Sequence, residues 1–316
     1  MIALGFLTDE NFIMQTGVAI HSIIANKNKD TRIDIFVIAA ECGEKAMVLK
    51  KMETEDVHIT IREASLEQYR DVKQLAHIPI ACLLKFNICD LIPEYDKLLY
   101  LDGDIIVRGD LTEAYNFDLG DYYLAAVPSV DNLAQPGRRF IDAGVVLFDA
   151  KKMRDEKKAE QLVEARKSLG DRGSMDQQTF NLIMSEQTTF LPCIYNCVAN
   201  RFTGASAKSY PIEKMNSLFG TDYKSHREMI DSAVIIHFAT GDKPWKYKYV
   251  ACADEWYNEY LSSPFGNEKL NRKSALSAHA GGVARNFRKG GTKRVFGKIV
   301  KKIKKLCGKA QTKGWE

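Results

Sequence analysis

The segment Lys97-Leu98-Leu99-Tyr100-Leu101-Asp102-Gly103-Asp104-Ile105-Ile106-Val107 constrains the fold of this chain most. Leucines and tyrosine lead in, and isoleucines and valine lead out. Such flanks read as a strand, buried on both faces, that meets two carboxylates and resumes. Two aspartates one residue apart at a strand end repel each other unless a cation, or a cation with its phosphates, lies between them. Gly103 leaves room for a bulky ligand to approach the backbone. The competing reading is a polar turn between two strands, where Asp-Gly is common.

Strand-like and helix-like runs alternate around this segment. Ile2–Leu7, Ile33–Ala39 and Val57–Ile61 read as strands, separated by helical patterns over Phe12–Ile24 and Glu44–Glu53. A further helical pattern, Ile80–Ile92, stops before Pro93. This order predicts an α/β fold with a mostly parallel central sheet covered on both faces. Beyond it, Tyr122–Val127, Phe140–Asp149 and Ala233–Phe238 read as strands, and Lys151–Leu169 and Met175–Met184 as helices, with Ser174 and Asp176 as candidate caps. The loop Ser129–Arg139 has the composition of a mobile lid, and Ser262–Asn271 that of a linker.

In open α/β sheets ligands gather at the carboxyl ends of strands. Polar residues stand at those places: Asp9 and Asn11 after the first strand, Asp102 and Asp104 at the central one, His237 at the last. A neutral imidazole can complete the coordination of a cation held by two carboxylates, although a lone histidine at a strand end is often structural. Lys243, in Thr240-Gly241-Asp242-Lys243-Pro244-Trp245, offers a point charge to a phosphate, or is a solvated loop lysine. There is no Gly-x-Gly-x-x-Gly after the first strand and no Gly-x-x-x-x-Gly-Lys-Ser/Thr anywhere, which weighs against a dinucleotide oxidoreductase or a P-loop enzyme.

Charge divides the chain of 316 residues in two. Residues 281–316 hold 12 Lys/Arg against one acid, whereas the rest carries 33 basic and 40 acidic residues. In the tail Val295, Phe296, Ile299, Val300, Ile303, Leu306 and Cys307 recur at spacings of three and four, with lysines between them. That pattern predicts a basic amphipathic helix for an anionic bilayer surface. A solvated tail and nucleic-acid binding are the alternatives; the clean apolar stripe favours the membrane, and the acidic body lacks a basic groove. No run of about 18 apolar residues exists. The seven scattered cysteines fit free thiols in a reducing cytosol, and Cys193 and Cys197 lack the company a zinc site needs. Met1–Leu7 runs into Thr8-Asp9-Glu10-Asn11 with no basic leader, so a cytoplasmic protein at the inner face of the membrane is expected.

Taken together, the segments from Met1 to about Tyr260 resemble the retaining glycosyltransferases of family 8, nearest the bacterial lipopolysaccharide and lipooligosaccharide α-galactosyl- and glucosyltransferases. The resemblance implies a single GT-A-type, Rossmann-like catalytic domain over residues 1–262, followed by a linker and membrane-associating tail over 263–316. It implies a UDP-hexose donor, a saccharide or glycolipid acceptor, and Mn2+ or Mg2+ held by Asp102, Asp104 and His237. Asp9 and Asn11 match the loop that receives uracil and ribose; Gly241 and Lys243 match the loop that meets the donor phosphates. Lys85 falls where an arginine touching the diphosphate and sugar is usual, and loses its bidentate geometry. Asp142 falls where Asn-Ala-Gly is usual, and adds a carboxylate that would alter hydroxyl recognition or serve in an ion pair. Thr240 stands where a glycine is expected. Asp176 and Gln177 match the pair beside the donor sugar. An amide is a poor nucleophile, which favours front-face substitution, with the leaving phosphate deprotonating the acceptor hydroxyl. A nucleotidyltransferase and a non-catalytic nucleotide-sugar binder are the rival readings. The first would want a glycine-rich basic loop, and Phe6–Gln15 has neither glycine nor Lys/Arg.

Overall fold

A computed structural model describes residues 1–72, 80–170, 176–267 and 269–274. The basic amphipathic tail and the candidate cap Ser174 lie outside the described residues.

Among the described residues nine strands form two sheets: β1 (Ile2–Asp9), β2 (Ile33–Ala40), β3 (Val57–Ala64), β4 (Lys97–Leu101), β5 (Ile105–Val107), β6 (Leu124–Pro128), β7 (Ile141–Asp149), β8 (Thr188–Phe190) and β9 (Ile235–His237). The main sheet has the order β3-β2-β1-β4-β7-β6-β8, and β5 pairs with β9 alone. Only β7 runs against its neighbours in the main sheet; every other pair there is parallel. The carboxyl ends of β1 and β4 therefore lie beside the amino end of β7. One lateral row, Val37–Phe6–Leu101–Val145, crosses four strands just beneath that edge.

Helix α1 (Ile13–Asn26) joins β1 to β2. Between β2 and β3 the chain forms a 3-10 helix over Gly43–Met52, where an α-helix was expected. Ala46, Leu49 and Met52 are its buried residues, a spacing of three that suits the tighter helix. The pattern over Ile80–Ile92 likewise resolves into a 3-10 helix, Ile80–Asn87, and a single turn, α2 (Ile88–Leu91). Helix α3 (Thr112–Tyr115) follows β5. The charged helix expected over Lys151–Leu169 is broken into α4 (Ala150–Asp155) and α5 (Lys158–Leu169), because Lys157 turns left-handed at φ 52°. Helices α6 (Gln177–Ile183), α7 (Ile212–Phe219), α8 (His226–Asp231) and α9 (Ala253–Ser262) complete the element order.

Strand alternation sorts the core into two layers. On β4, Leu99 and Leu101 face one layer, and Leu98 and Tyr100 the other. A third cluster, with Ile106, Ile236, Phe238, Trp256 and Tyr260, packs around the small sheet. Each such buried side chain contributes about 1.5–3 kcal/mol of transfer free energy.

Three expectations are revised. Lys97–Val107 is not one strand: the chain leaves the main sheet after Leu101, turns through Asp102-Gly103-Asp104, and joins β9 in the second sheet. The loop expected as a lid holds a 3-10 turn, Val130–Leu133, and is fastened to the start of β7. Asn132 there donates to the Phe140 carbonyl at 2.8 Å and accepts from its amide at 2.9 Å. The segment expected as a linker packs on the body: the Phe265 ring lies over Gly17, and just beyond the segment buried Arg272 donates to the carbonyls of Pro244 and Ala253. No helix among the described residues is long and apolar enough to cross a membrane. Cys42, Cys82, Cys89, Cys193, Cys197 and Cys252 carry free thiols.

Candidate active site

Two sheets meet at the Asp-Gly-Asp turn, and the turn is tied to both. Asp102 N–H donates to the Gly144 carbonyl of β7 at 2.8 Å, and Phe238 N–H donates to the Asp104 carbonyl at 2.8 Å. The turn thus sets Asp102 and Asp104 against His237, the last residue of β9. His237 Nε2 lies 3.2 Å from Asp104 Oδ1 and 3.6 Å from Asp102 Oδ2. These three residues offer ligand atoms that all lie within 4.8 Å of one another.

The outer oxygens of both carboxylates are already engaged. Asp102 Oδ1 accepts from the Tyr100 hydroxyl at 2.6 Å and lies 3.2 Å from Lys85 Nζ. Asp104 Oδ2 accepts from Lys243 Nζ at 2.6 Å. Only the inner oxygens face the imidazole. Two carboxylate oxygens and a ring nitrogen converging on one point are stable only with a proton or a cation among them. Burial works to raise the Asp104 carboxyl, but His237 and Lys243 outweigh it and hold it well below the usual carboxylate range. Burial likewise opposes charging of His237, yet Asp104, Asp142 and Asp102 raise its pKa above the ordinary imidazole value.

Two glycines make this packing possible, for different reasons. A Cβ on Gly144 would lie 2.1 Å from His237 Cε1, so the imidazole sits flat on a bare backbone. A Cβ on Gly103 would lie 2.6 Å from Thr16 Oγ1 and 3.2 Å from the Phe12 ring. The close neighbour of Gly103 is therefore the start of α1, where a bulky ligand was expected. The Phe12 ring also meets Trp245 edge-on at 5.7 Å between centroids, and Lys243 Nζ lies 5.8 Å from the Trp245 ring. Phe12 so joins the loop after β1, the Asp-Gly-Asp turn and the Lys243 loop at one place.

Lys85 is buried and bridges two parts of the site. Its ammonium donates to Asp176 Oδ2 at 2.5 Å and to the Ala143 carbonyl at 2.9 Å, and lies 4.6 Å from the Tyr100 ring centroid. Burial opposes its charge, but Asp102 and Asp176 hold its pKa well above the ordinary lysine value. Asp176 stands at the N-cap position of α6 without capping it, because the carboxylate turns to Lys85. Gln177 Oε1 accepts from the Ala143 amide at 3.5 Å. Asp142 is buried and paired with Arg201 at 3.5 Å.

The structure thus gathers Lys85, Asp102, Asp104, Asp142, Asp176, Gln177, His237 and Lys243 into one contact network. Asp9 and Asn11 lie at its margin, joined through Phe12. There Asp9 Oδ1 accepts from the Asn11 amide at 2.9 Å, closing a turn. Gly241 is exposed, with open space around its α-carbon. Asn196, Arg201 and Tyr100 belong to the site without having been singled out in the sequence. Their signal was indirect: buried carboxylates at positions 102 and 142 require donors.

The family model described as Glycosyl transferase family 8 matches residues 3–249. Glycosyltransferase GlyD of Streptococcus pneumoniae serotype 4 is 27% identical over 242 residues, which cover 75% of this chain and 28% of GlyD. This chain therefore spans less than a third of that relative's length. Lipopolysaccharide 1,2-glucosyltransferase of Escherichia coli K12 is 24% identical over 254 residues, 75% of this chain and 70% of that protein. Among solved structures, the galactosyltransferase LgtC in complex with donor and acceptor sugar analogs is similar in fold. Its TM-score is 0.67 at 22% identity, over 83% of this chain and 96% of that one.

Proposed function

The chain belongs to glycosyl transferase family 8, and on that premise we propose that it is a retaining, metal-dependent transferase moving a hexose from a UDP-sugar to a saccharide acceptor. The observation that carries this reading is the convergence of Asp102 Oδ2, Asp104 Oδ1 and His237 Nε2, whose carboxylate and imidazole donors suit a divalent cation. The names of its relatives point to glucose or galactose as the hexose, and to a lipid-linked cell-surface glycan as the acceptor.

Asp102, Asp104 and His237 would hold a divalent cation, which would supply Lewis acidity toward the departing diphosphate. Lys243 adds a fixed positive charge beside Asp104 for the same oxygens. Asp9, the last residue of β1, and Asn11, on the loop that follows, receive the uridine. Asp176 and Gln177, at the start of α6, grip the sugar as its ring gains oxocarbenium character. Lys85, at 2.5 Å from Asp176 Oδ2, holds that carboxylate in place. Because Gln177 is an amide, the acceptor hydroxyl attacks from the face the diphosphate leaves: the new glycosidic bond forms as the anomeric bond to phosphate breaks, and the hydroxyl proton passes to a phosphate oxygen. The body does this chemistry, and the basic tail over residues 281–316 holds it at an anionic membrane surface on the cytoplasmic side.

The test is UDP release from UDP-glucose and UDP-galactose, with and without Mn2+, by the wild type and Asp104→Ala. The expected result is slow, metal-dependent release that the substitution abolishes. Metal-dependent UDP binding without turnover on any acceptor would assign the chain a binding role instead.

A further inference from the structure

The His237 ring is oriented by a chain of groups reaching away from the ligand centre. Asp142 Oδ1 accepts from Asn196 Nδ2 at 3.3 Å and from the Gly144 amide at 3.3 Å. Arg201 lies on its other oxygen at 3.5 Å. Asn196 Oδ1 faces His237 Nδ1 at 2.8 Å. Asp142, Asn196 and His237 are all buried.

The chemistry of these groups allows one arrangement. An ionised carboxylate only accepts hydrogen bonds, so Asn196 must turn its NH2 toward Asp142. Its amide oxygen then faces His237, and an amide oxygen also only accepts. Nδ1 must therefore carry a proton, and in the neutral ring the Nε2 lone pair is then the one directed at Asp102 and Asp104. Asp142 lies 3.9 Å from His237 Nδ1, beyond hydrogen-bond reach, so it acts through Asn196. An amide at position 142 would present either end to Asn196 and leave the orientation undecided. Arg201 offsets the buried charge that a carboxylate brings.

We propose that Asp142 and Asn196 are positioning residues that set the tautomer of His237, so that Nε2 is offered to a divalent cation. The inference rests on the three-ligand reading above, and adds to it why this chain carries a carboxylate at 142. Asp142 is in this account engaged within the protein, its hydrogen bonds spent on Asn196, Gly144 and Arg201.

The experiment uses the full chain with histidine labelled in 15N. Ring nitrogen shifts are read in the metal-free protein at alkaline pH, where the imidazole is neutral, and Mn2+ affinity is read by calorimetry. The wild type is expected to show His237 protonated at Nδ1. Asp142→Asn is expected to mix the tautomers and weaken Mn2+ binding by about 10- to 100-fold. Combining Asp142→Asn with Asn196→Asp restores the polarity: the new carboxylate accepts from Nδ1, and the amide at 142 donates to it while accepting from Arg201. That double variant is expected to recover the single tautomer and most of the affinity. A wild-type His237 protonated at Nε2 overturns the proposal without any variant. So does an Asp142→Asn protein that keeps both tautomer and affinity, or a folded double variant with no recovery. A wild type that binds no Mn2+ refutes the metal reading, while the tautomer still decides the relay.

Discussion

Gly144→Ala presses a single methyl group on the ligand centre, and most closely on the imidazole. The added Cβ would lie 2.1 Å from His237 Cε1, 2.7 Å from Nδ1 and 3.1 Å from Asp102 Oδ2. Ordinary contact begins near 3.4 Å, so the ring must retreat by about 1.3 Å or the β7 backbone must yield. A ligand distance tolerates only about 0.2 Å of error. A displacement several times larger removes His237 from the coordination set and leaves two aspartates. The expected loss in Mn2+ affinity is about 100-fold, or roughly 2.7 kcal/mol. If the backbone yields instead, the overpacked edge costs about 1–3 kcal/mol of stability and appears as a lower melting temperature. Calorimetric Mn2+ titration and a thermal melt of the metal-free protein separate the two responses. Gly241→Ala is the control: it lies in the loop that carries Lys243, and its added Cβ meets nothing within 4 Å. Its Mn2+ affinity is expected to stay within about threefold of wild type, well short of the tenfold that corresponds to roughly 1.4 kcal/mol. A Gly144→Ala protein with wild-type affinity and an unchanged melt would refute the claim that a bare backbone is needed behind the imidazole.

Asp110 ties the loop between α1 and β2 to the start of α3, accepting from the Asn28 amide at 2.8 Å, the Thr31 hydroxyl at 2.7 Å and the Thr112 amide at 2.8 Å. Burial works to raise its carboxyl, but these donors outweigh that and hold it below its ordinary value of 3.8. A depressed carboxyl stabilises the fold above its unfolded pKa and ceases to do so as pH falls through the folded one. Asp110→Asn is therefore expected to cost about 1–2 kcal/mol in urea unfolding at neutral pH, and an undiminished cost at about pH 2 would contradict this. Deleting residues 281–316 is expected to abolish co-sedimentation with phosphatidylglycerol vesicles and to leave UDP binding intact, since each lysine near anionic headgroups contributes about 1 kcal/mol; unchanged sedimentation would reject the membrane role of the tail.

What could be read in the sequence was local, and what could not was a matter of direction and distance. The parallel half of the sheet was legible because β1 and β2 are nearly continuous apolar runs, as strands buried on both faces must be. The reversal at β7 was not legible from loop length: about a dozen residues separate β6 from β7, enough for a connection in either direction. The spacing of Ala46, Leu49 and Met52 already carried the three-residue period of the 3-10 helix that an α-helical reading passed over. Asp102, Asp104 and His237 stood out because charged or polar residues at the ends of apolar strands are conspicuous. Asn196 did not, because its two partners lie 41 and 54 residues away and nothing in Tyr195-Asn196-Cys197 marks it. The clue was at position 142 instead. A carboxylate where an amide is usual cannot be buried alone, so its presence demanded both a cation and a donor somewhere in the fold. Arg201 and Asn196 answer that demand. The unexpected residue at one position was thus the only sequence trace of the hydrogen-bond chain that aims the histidine.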